Sequence, residues 1–196
     1  GVSMTRARDV ANRAIVANTV GATELNLTDN YAFTGTVSGA GGGKVLKVQH
    51  YESTTAISSS AAVPHDNTTP TSTEGVQIMT ASFTATSSSS DLYFFITVYG
   101  NEDSNVGDRI TYPLFDGTTF IGMGYQDATN HGNGSNWNQT SIILKYSPAS
   151  TSAKTYTLRG SVNGGSTFES LNTVTYMDNA KYGGNIKNTI TIMEIG

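Results

Sequence analysis

The chain reads as an all-β protein: a jelly-roll sandwich preceded by a short N-terminal helix and an extended shaft segment. Three observations predict this. From Gly43-Lys-Val-Leu-Lys-Val48 onward, short runs of β-branched and aromatic residues alternate with Ser, Asn, Gly and Pro punctuation. No long helix-periodic stretch interrupts them. The last run, Asn188–Ile195, leaves a single glycine after it, so the domain closes on a strand.

Taken in order, Thr5–Asn18 is expected to be a short helix. Ala7, Val10, Ala14 and Ala17 fall at the 3-4-3 spacing of a heptad seam. The seam is made of small side chains and a helix this short is marginal alone. It therefore suits either docking or bundling between identical chains, or packing on its own domain. Gly1-Val2-Ser3 reads as a remnant ahead of a start at Met4, although Met4 is equally readable as internal. Leu25 and Leu27 alternate, as do Tyr31 and Phe33, in short extended pieces too isolated to form a sheet within one chain. Ser38-Gly-Ala-Gly-Gly-Gly43 is a hinge by composition. Residues 1–43 are thus expected to be an attachment and shaft segment, and residues 44–196 the jelly-roll knob.

Within the knob, strands are expected at Lys44–Tyr51, Val76–Thr84, Leu92–Tyr99, Arg109–Leu114, Thr118–Tyr125, Thr140–Tyr146, Thr155–Val162, Thr173–Met177 and Asn188–Ile195. Short strands at this spacing suit a sandwich or jelly roll. Leu92–Tyr99 is apolar on both faces: Leu92, Phe94, Ile96 and Val98 on one, Tyr93, Phe95 and Tyr99 beside Thr97 on the other. A two-layer sandwich covers only the inner face of each sheet. The second face then needs either a neighbouring subunit or a long loop of the same chain. The same reasoning makes Asn188–Ile195 a central strand, with Ile190 and Ile192 on one face and Met193 and Ile195 on the other.

Composition sets limits on function. Of 196 residues, 37% are hydrophobic and 13% charged, against about a quarter charged in ordinary soluble domains. Net charge is −4 and the pI about 5.2, so no basic footprint for nucleic acid is present. The absence of cysteine excludes disulfides and thiolate zinc sites. No apolar run has the length of a membrane-spanning helix, so no membrane insertion is expected.

Four pieces of the knob carry a family pattern: Gly43–Val48, Ser87-Ser-Ser-Ser-Asp-Leu-Tyr-Phe-Phe-Ile96, Pro148-Ala-Ser-Thr-Ser-Ala-Lys-Thr-Tyr-Thr-Leu158 and Thr189–Ile195. In this order they resemble the C-terminal, tumour-necrosis-factor-like jelly-roll domains of tail-fibre and other virion structural proteins of tailed phages, especially marine phages and cyanophages. Ala17–Asn26 and Phe33-Thr-Gly-Thr-Val-Ser-Gly39 look like shaft segments of the same proteins. The resemblance implies a homotrimer located in the virion. It implies that the N-terminal segment binds other virion proteins and that the knob faces a host-surface glycan or protein. A capsid decoration or head-fibre protein is the alternative. The pattern departs at Gly122–Thr140, which is long and rich in Asn, so no ligand residue is carried over.

That same stretch is the most function-like by its own chemistry. Tyr125, Asn130, His131, Asn136 and Trp137 combine aromatic faces with planar amides, the set that stacks on sugar C–H groups and hydrogen-bonds hydroxyls. The plainer possibility is that Trp137 opens the next strand and packs inward, with the Asn and Gly residues making turns. Asn101-Glu-Asp-Ser-Asn-Val-Gly-Asp108 is rich in oxygen ligands but lacks the spacing of a calcium loop. His50, His65 and His131 are too scattered for a zinc motif, although His50 on a strand could meet its copies around a trimer axis. The acids form no pair recognisable as glycosidase machinery, and no nucleophile elbow or phosphate loop occurs. No enzyme, cofactor or metal is therefore expected. The sequons at Asn26, Asn67, Asn133 and Asn138 are unremarkable in a chain this rich in Asn, Ser and Thr.

Overall fold

In the computed structural model, residues 43–102, 109–127, 138–162, 166–171 and 185–196 are described. They form ten strands: β1 (Val45–Ser53), β2 (Ile57–Ser59), β3 (Val76–Phe83), β4 (Asp91–Glu102), β5 (Arg109–Asp116), β6 (Thr119–Asp127), β7 (Asn138–Tyr146), β8 (Lys154–Val162), β9 (Phe168–Ser170) and β10 (Asn188–Ile195). No helix occurs among the described residues. The expected helix at Thr5–Asn18, the shaft pieces and the expected strand Thr173–Met177 lie outside them.

Two antiparallel sheets make the sandwich. The first has β1-β10-β4-β7 as its body, with β9 and then β2 continuing beside the far part of β4. The second runs β3-β8-β5-β6. After β1 and β2 the chain passes to the second sheet at β3, back at β4, over again at β5 and β6, and so on until β10. Eight strands wound in this order are a jelly roll.

Alternation along each strand builds the core. Leu92, Phe94, Ile96 and Val98 of β4, Ile190 and Ile192 of β10, Ile110, Tyr112 and Leu114 of β5, and Tyr156 and Leu158 of β8 all point inward and are buried. Phe94 meets Tyr156 edge to face across the two sheets, with ring centroids 4.8 Å apart. Such a pair contributes about 0.5–1.5 kcal/mol beyond its buried area.

Local chemistry explains the irregular points. Pro113 sits inside the central strand β5 and has no N–H to donate, and the β5–β8 ladder makes no pairs across Tyr112 and Pro113. The β5–β6 hairpin turns through Gly117-Thr118, and Gly117 has φ +59°, as the first loop residue of a primed turn requires. Gly100 is needed for another reason. A Cβ there would collide with the Tyr112 hydroxyl and come within 3.2 Å of Phe168.

The two ends of the sandwich differ. At one, Lys44 and Gly196 exchange both backbone hydrogen bonds, at 2.9 and 3.0 Å. Here the carboxylate of Glu194, fully buried on the inward face of β10, is enclosed by the segment between β3 and β4. It accepts from the backbone N–H of Thr86 (2.7 Å) and Ser87 (3.1 Å) and from the hydroxyls of Thr86 (2.5 Å) and Ser90 (2.6 Å). Nearby, Tyr146 and Lys154 both reach Asp116 Oδ2, at 3.0 and 2.9 Å. At the other end β4, β6 and β8 finish and β5, β7 and β10 begin. The connections across 103–108, 128–137, 163–165 and 172–184 all join strand ends there and lie outside the described residues.

Burial opposes ionisation of Glu194, but the hydrogen bonds from Ser90, Thr86 and Ser87 outweigh it and hold its carboxyl below the ordinary glutamate value. A depressed pKa in the folded state contributes stability above the unfolded-state value, and that contribution is lost as pH falls through the folded-state value. Thermal melts across the acid range should therefore show stability dropping as pH falls below about 4.5. Glu194→Gln should flatten that dependence, and Glu194→Ala should cost about 1–3 kcal/mol at neutral pH by stranding its donors.

Candidate functional site

The end opposite Lys44 and Gly196 is where the sequence placed its candidate residues. Of the five, only Tyr125 lies among the described residues. It stands on the outward face of β6 and is 50% exposed. Asn130, His131, Asn136 and Trp137 fall in 128–137, outside the described residues. β7 begins at Asn138, immediately after Trp137.

Near the ends of the two strands that this connection joins, β6 and β7, lies a polar knot. Gln126 Oε1 accepts from Thr140 Oγ1 at 2.7 Å and from the Tyr112 hydroxyl at 3.3 Å. Burial raises the Tyr112 phenol well above the ordinary tyrosine value, and the Thr140 contact only partly opposes that. Gln126 Nε2 is buried with no protein partner among the described residues. Gly122 and Gly124, inward on β6, leave room for Leu144 and Ile142 of β7, so the two sheets close together along this edge. Asn101, expected in an oxygen-rich turn, is instead buried and donates from Nδ2 to Glu169 at 3.3 Å. Residues 103–108 of that turn lie outside the described residues. Among the described residues no group of three or more His, Asp or Glu is placed to hold a metal ion.

The outward face of the first sheet is unlike an ordinary solvent face. Register places Val48, Met193, Tyr93 and Lys145 in one row across it, and His50, Thr191, Phe95 and Ile143 in the next. Ile143 is 67% exposed, Val48 51% and Phe95 38%. The charges around them are paired within the chain: Lys145 with Asp91 at 2.7 Å, and Glu52 with both Lys187 (2.5 Å) and His50 (3.4 Å). His50 Nδ1 lies 2.7 Å from Thr191 Oγ1.

The outward face of the second sheet carries a feature that sequence reading missed. The segment 63–70 crosses it and leaves a recess of about 120 Å³ between that segment and Arg109 and Thr111 of β5 and Met123 of β6. Tyr125 is the cross-strand partner of Thr111 and stands two residues along β6 from Met123, on the same face. Arg109 Nη1 lies 3.4 Å from His65 Nδ1 and 3.3 Å from Nε2. Such similar distances to both ring nitrogens place the guanidinium against the imidazole rather than along one lone pair. No local motif joins His65 to Arg109, 44 residues apart, so the sequence held no signal for this meeting.

No family model matches the chain, and no curated protein matches it. Among solved structures it is similar to the VP2 subviral particle of infectious bursal disease virus, at 12% identity over 77% of this chain and 40% of that chain, TM-score 0.33. It is similar also to the Gx strain of the same virus, at 12% identity over 76% of this chain and 38% of that chain, TM-score 0.31. The chain thus spans well under half the length of these viral structures, and likenesses this distant fix no function.

Burial also raises the Tyr156 phenol, with the neighbouring Asp116 and Tyr146 adding to the effect. Spectrophotometric titration should therefore leave Tyr112 and Tyr156 protonated after the exposed phenols have ionised. Both should release their protons only together with unfolding, and replacing either by Phe should remove one phenol from that late step.

Proposed function

We propose that this protein is a virion structural protein, a short homotrimeric fibre whose jelly-roll knob is displayed toward a host-surface receptor, a glycan in the first instance. The observation that carries the reading is the outward face of β1-β10-β4-β7. One chain leaves Val48, Phe95, Ile143 and half-buried Met193 and Tyr93 unburied on a single sheet face. A contiguous exposed apolar patch rimmed by polar residues marks an interaction surface. A second copy of the same chain fits it best. The charges at its margin are neutralised in pairs, so identical faces meet without like-charge repulsion. The low charge content of the chain, 13% of residues, points the same way.

The division between the ends of the sandwich fits display. Gly43, where the preceding segment joins, lies beside Gly196 at one end. The connection holding Asn130, His131, Asn136 and Trp137 leaves from the other. An anchor acting through residues 1–43, on other virion proteins, would then present that end outward. The phage-fibre resemblance of Gly43–Val48, Ser87–Ile96, Pro148–Leu158 and Thr189–Ile195 supports the same assignment.

Light scattering on the full chain should give a trimer. Phe95→Glu with Ile143→Glu should give a folded monomer, because both side chains are exposed in the single chain and surface changes of this kind alter stability by only about 0.5 kcal/mol. Binding of that monomer to host cells or to a glycan array should fall by about a hundredfold or more, the loss expected when three linked sites become one. A wild-type monomer would refute the trimer and the avidity with it. A trimer that binds neither cells nor glycans would refute the receptor role.

A further inference from the structure

The recess on the second sheet has the chemistry of a small-ligand site. Its floor is apolar, from Val63, Pro64, Pro70 and Met123. Its polar groups are of both kinds. Arg109 brings hydrogen-bond donors, Asp66 brings a carboxylate, and Thr111 brings a hydroxyl that serves either way. Asp66 Oδ1 is engaged by the Thr68 backbone N–H at 2.7 Å and the Thr68 hydroxyl at 2.6 Å, which fixes the carboxylate and leaves Oδ2 as an acceptor. Exposed Tyr125 adjoins this set through its pairing with Thr111. An apolar floor with a few convergent polar groups is the usual make-up of such sites.

The lining is held in place before any ligand arrives. Val63 N–H donates to Ser161 Oγ at 2.6 Å, and Gly75 N–H to the Ala62 carbonyl at 3.1 Å. Arg159 clamps the carbonyls of Glu74 and Gly75 from Nε and Nη2, at 2.6 and 2.7 Å. A recess tied down on both sides loses little entropy on binding.

We propose that this recess, formed by Arg109, Asp66, Thr111 and Met123 with Tyr125 beside it, holds one neutral sugar ring of a surface glycan. Mixed donors and acceptors suit vicinal hydroxyls, and the apolar floor suits the C–H face of the ring. At about 120 Å³ it falls short of the roughly 300–1,000 Å³ of sites for larger ligands, so one ring enters and the rest of the glycan passes over Tyr125. The inference rests on the receptor-binding reading and names a second contact point for it, apart from the connection between β6 and β7.

The test uses the full chain with its methionine methyls carbon-13 labelled and the Met123 signal assigned by Met123→Leu. Glucose, galactose, mannose and N-acetylglucosamine are titrated separately into the millimolar range. The expected result is a saturable shift of the Met123 methyl with at least one sugar, weakened by about tenfold or more in Arg109→Ala and in Asp66→Asn. Asp66→Asn keeps an oxygen for Thr68, so loss of the response there at an unchanged melting temperature supports the site even where Arg109→Ala unfolds locally. A response that survives both substitutions overturns the proposal. A silent Met123 methyl overturns it too. If a glycan array with the same protein still shows binding, the receptor reading stands without this site; if the array is blank, both fall.

Discussion

The structure depends on a single insertion, that of β10 between β1 and β4. Its inward residues Ile190 and Ile192 are fully buried, and its backbone is paired with β1 along its whole length and with β4 from Thr189 onward. The pairing joins Val45 to Ile195, across nearly the full length of the described fold. Contacts that distant in sequence reward the chain only after a large loop has been closed. The first sheet is therefore incomplete until β10 has been placed. The carboxylate of Glu194 belongs to this logic. It lies on the inward face of the last strand, where an unpaired charge would be costly, and the donors of Thr86, Ser87 and Ser90 make that position tolerable only when β10 is in register. A one-residue slip would turn Glu194 outward and Ile192 away from the core. The polar cage therefore specifies register as well as adding stability.

Once β10 is central, the two faces of its sheet acquire different roles. The inward face is spent on the core. The outward face, with Met193 and Ile195 on β10 and Tyr93 and Phe95 on β4, is left partly open by the described residues. The sandwich is also polarised lengthwise: the buried polar groups Glu194 and Asp116 lock the end where Lys44 and Gly196 meet. At the opposite end Gln126, Tyr112 and Thr140 are joined by hydrogen bonds.

Much of this was legible in the sequence, for physical reasons. Strand β4 showed apolar residues on both faces, and a two-layer sandwich covers only the inner one. The structure places Leu92, Phe94, Ile96 and Val98 inside and leaves Phe95 outside. Asn188–Ile195 was readable as central from its paired Ile faces. Eight of the nine expected strands fall among the described residues, and all eight occur there, with ends displaced by at most three residues. The short strands β2 and β9 were not readable. Ile57-Ser-Ser59 and Phe168-Glu-Ser170 are too brief to show a period, and they exist because the far part of β4 offers an unpaired edge beyond Asn188. The recess at Arg109 was invisible for a related reason. It depends on where the segment between β2 and β3 is pinned, by Ser161 and Arg159 of a strand some hundred residues later. Sequence carries local periodicity well and carries such long-range anchoring hardly at all.

The shallowness of the recess and the apolar sheet face bear on each other. A site with room for one ring yields few contacts, and small ligands gain little free energy per site once the cost of immobilisation is met. One knob with one such site would hold a surface only briefly. Three knobs joined through β1-β10-β4-β7 would carry three recesses, each on the sheet turned away from the shared face, because Arg109, Thr111 and Met123 lie on the outward side of β5 and β6. Assembly through the first sheet would leave the second free in every copy. On the proposed reading, the surface that would make the oligomer and the surface that would use it lie on opposite sheets, and repetition of the site would let weak recognition at each copy suffice.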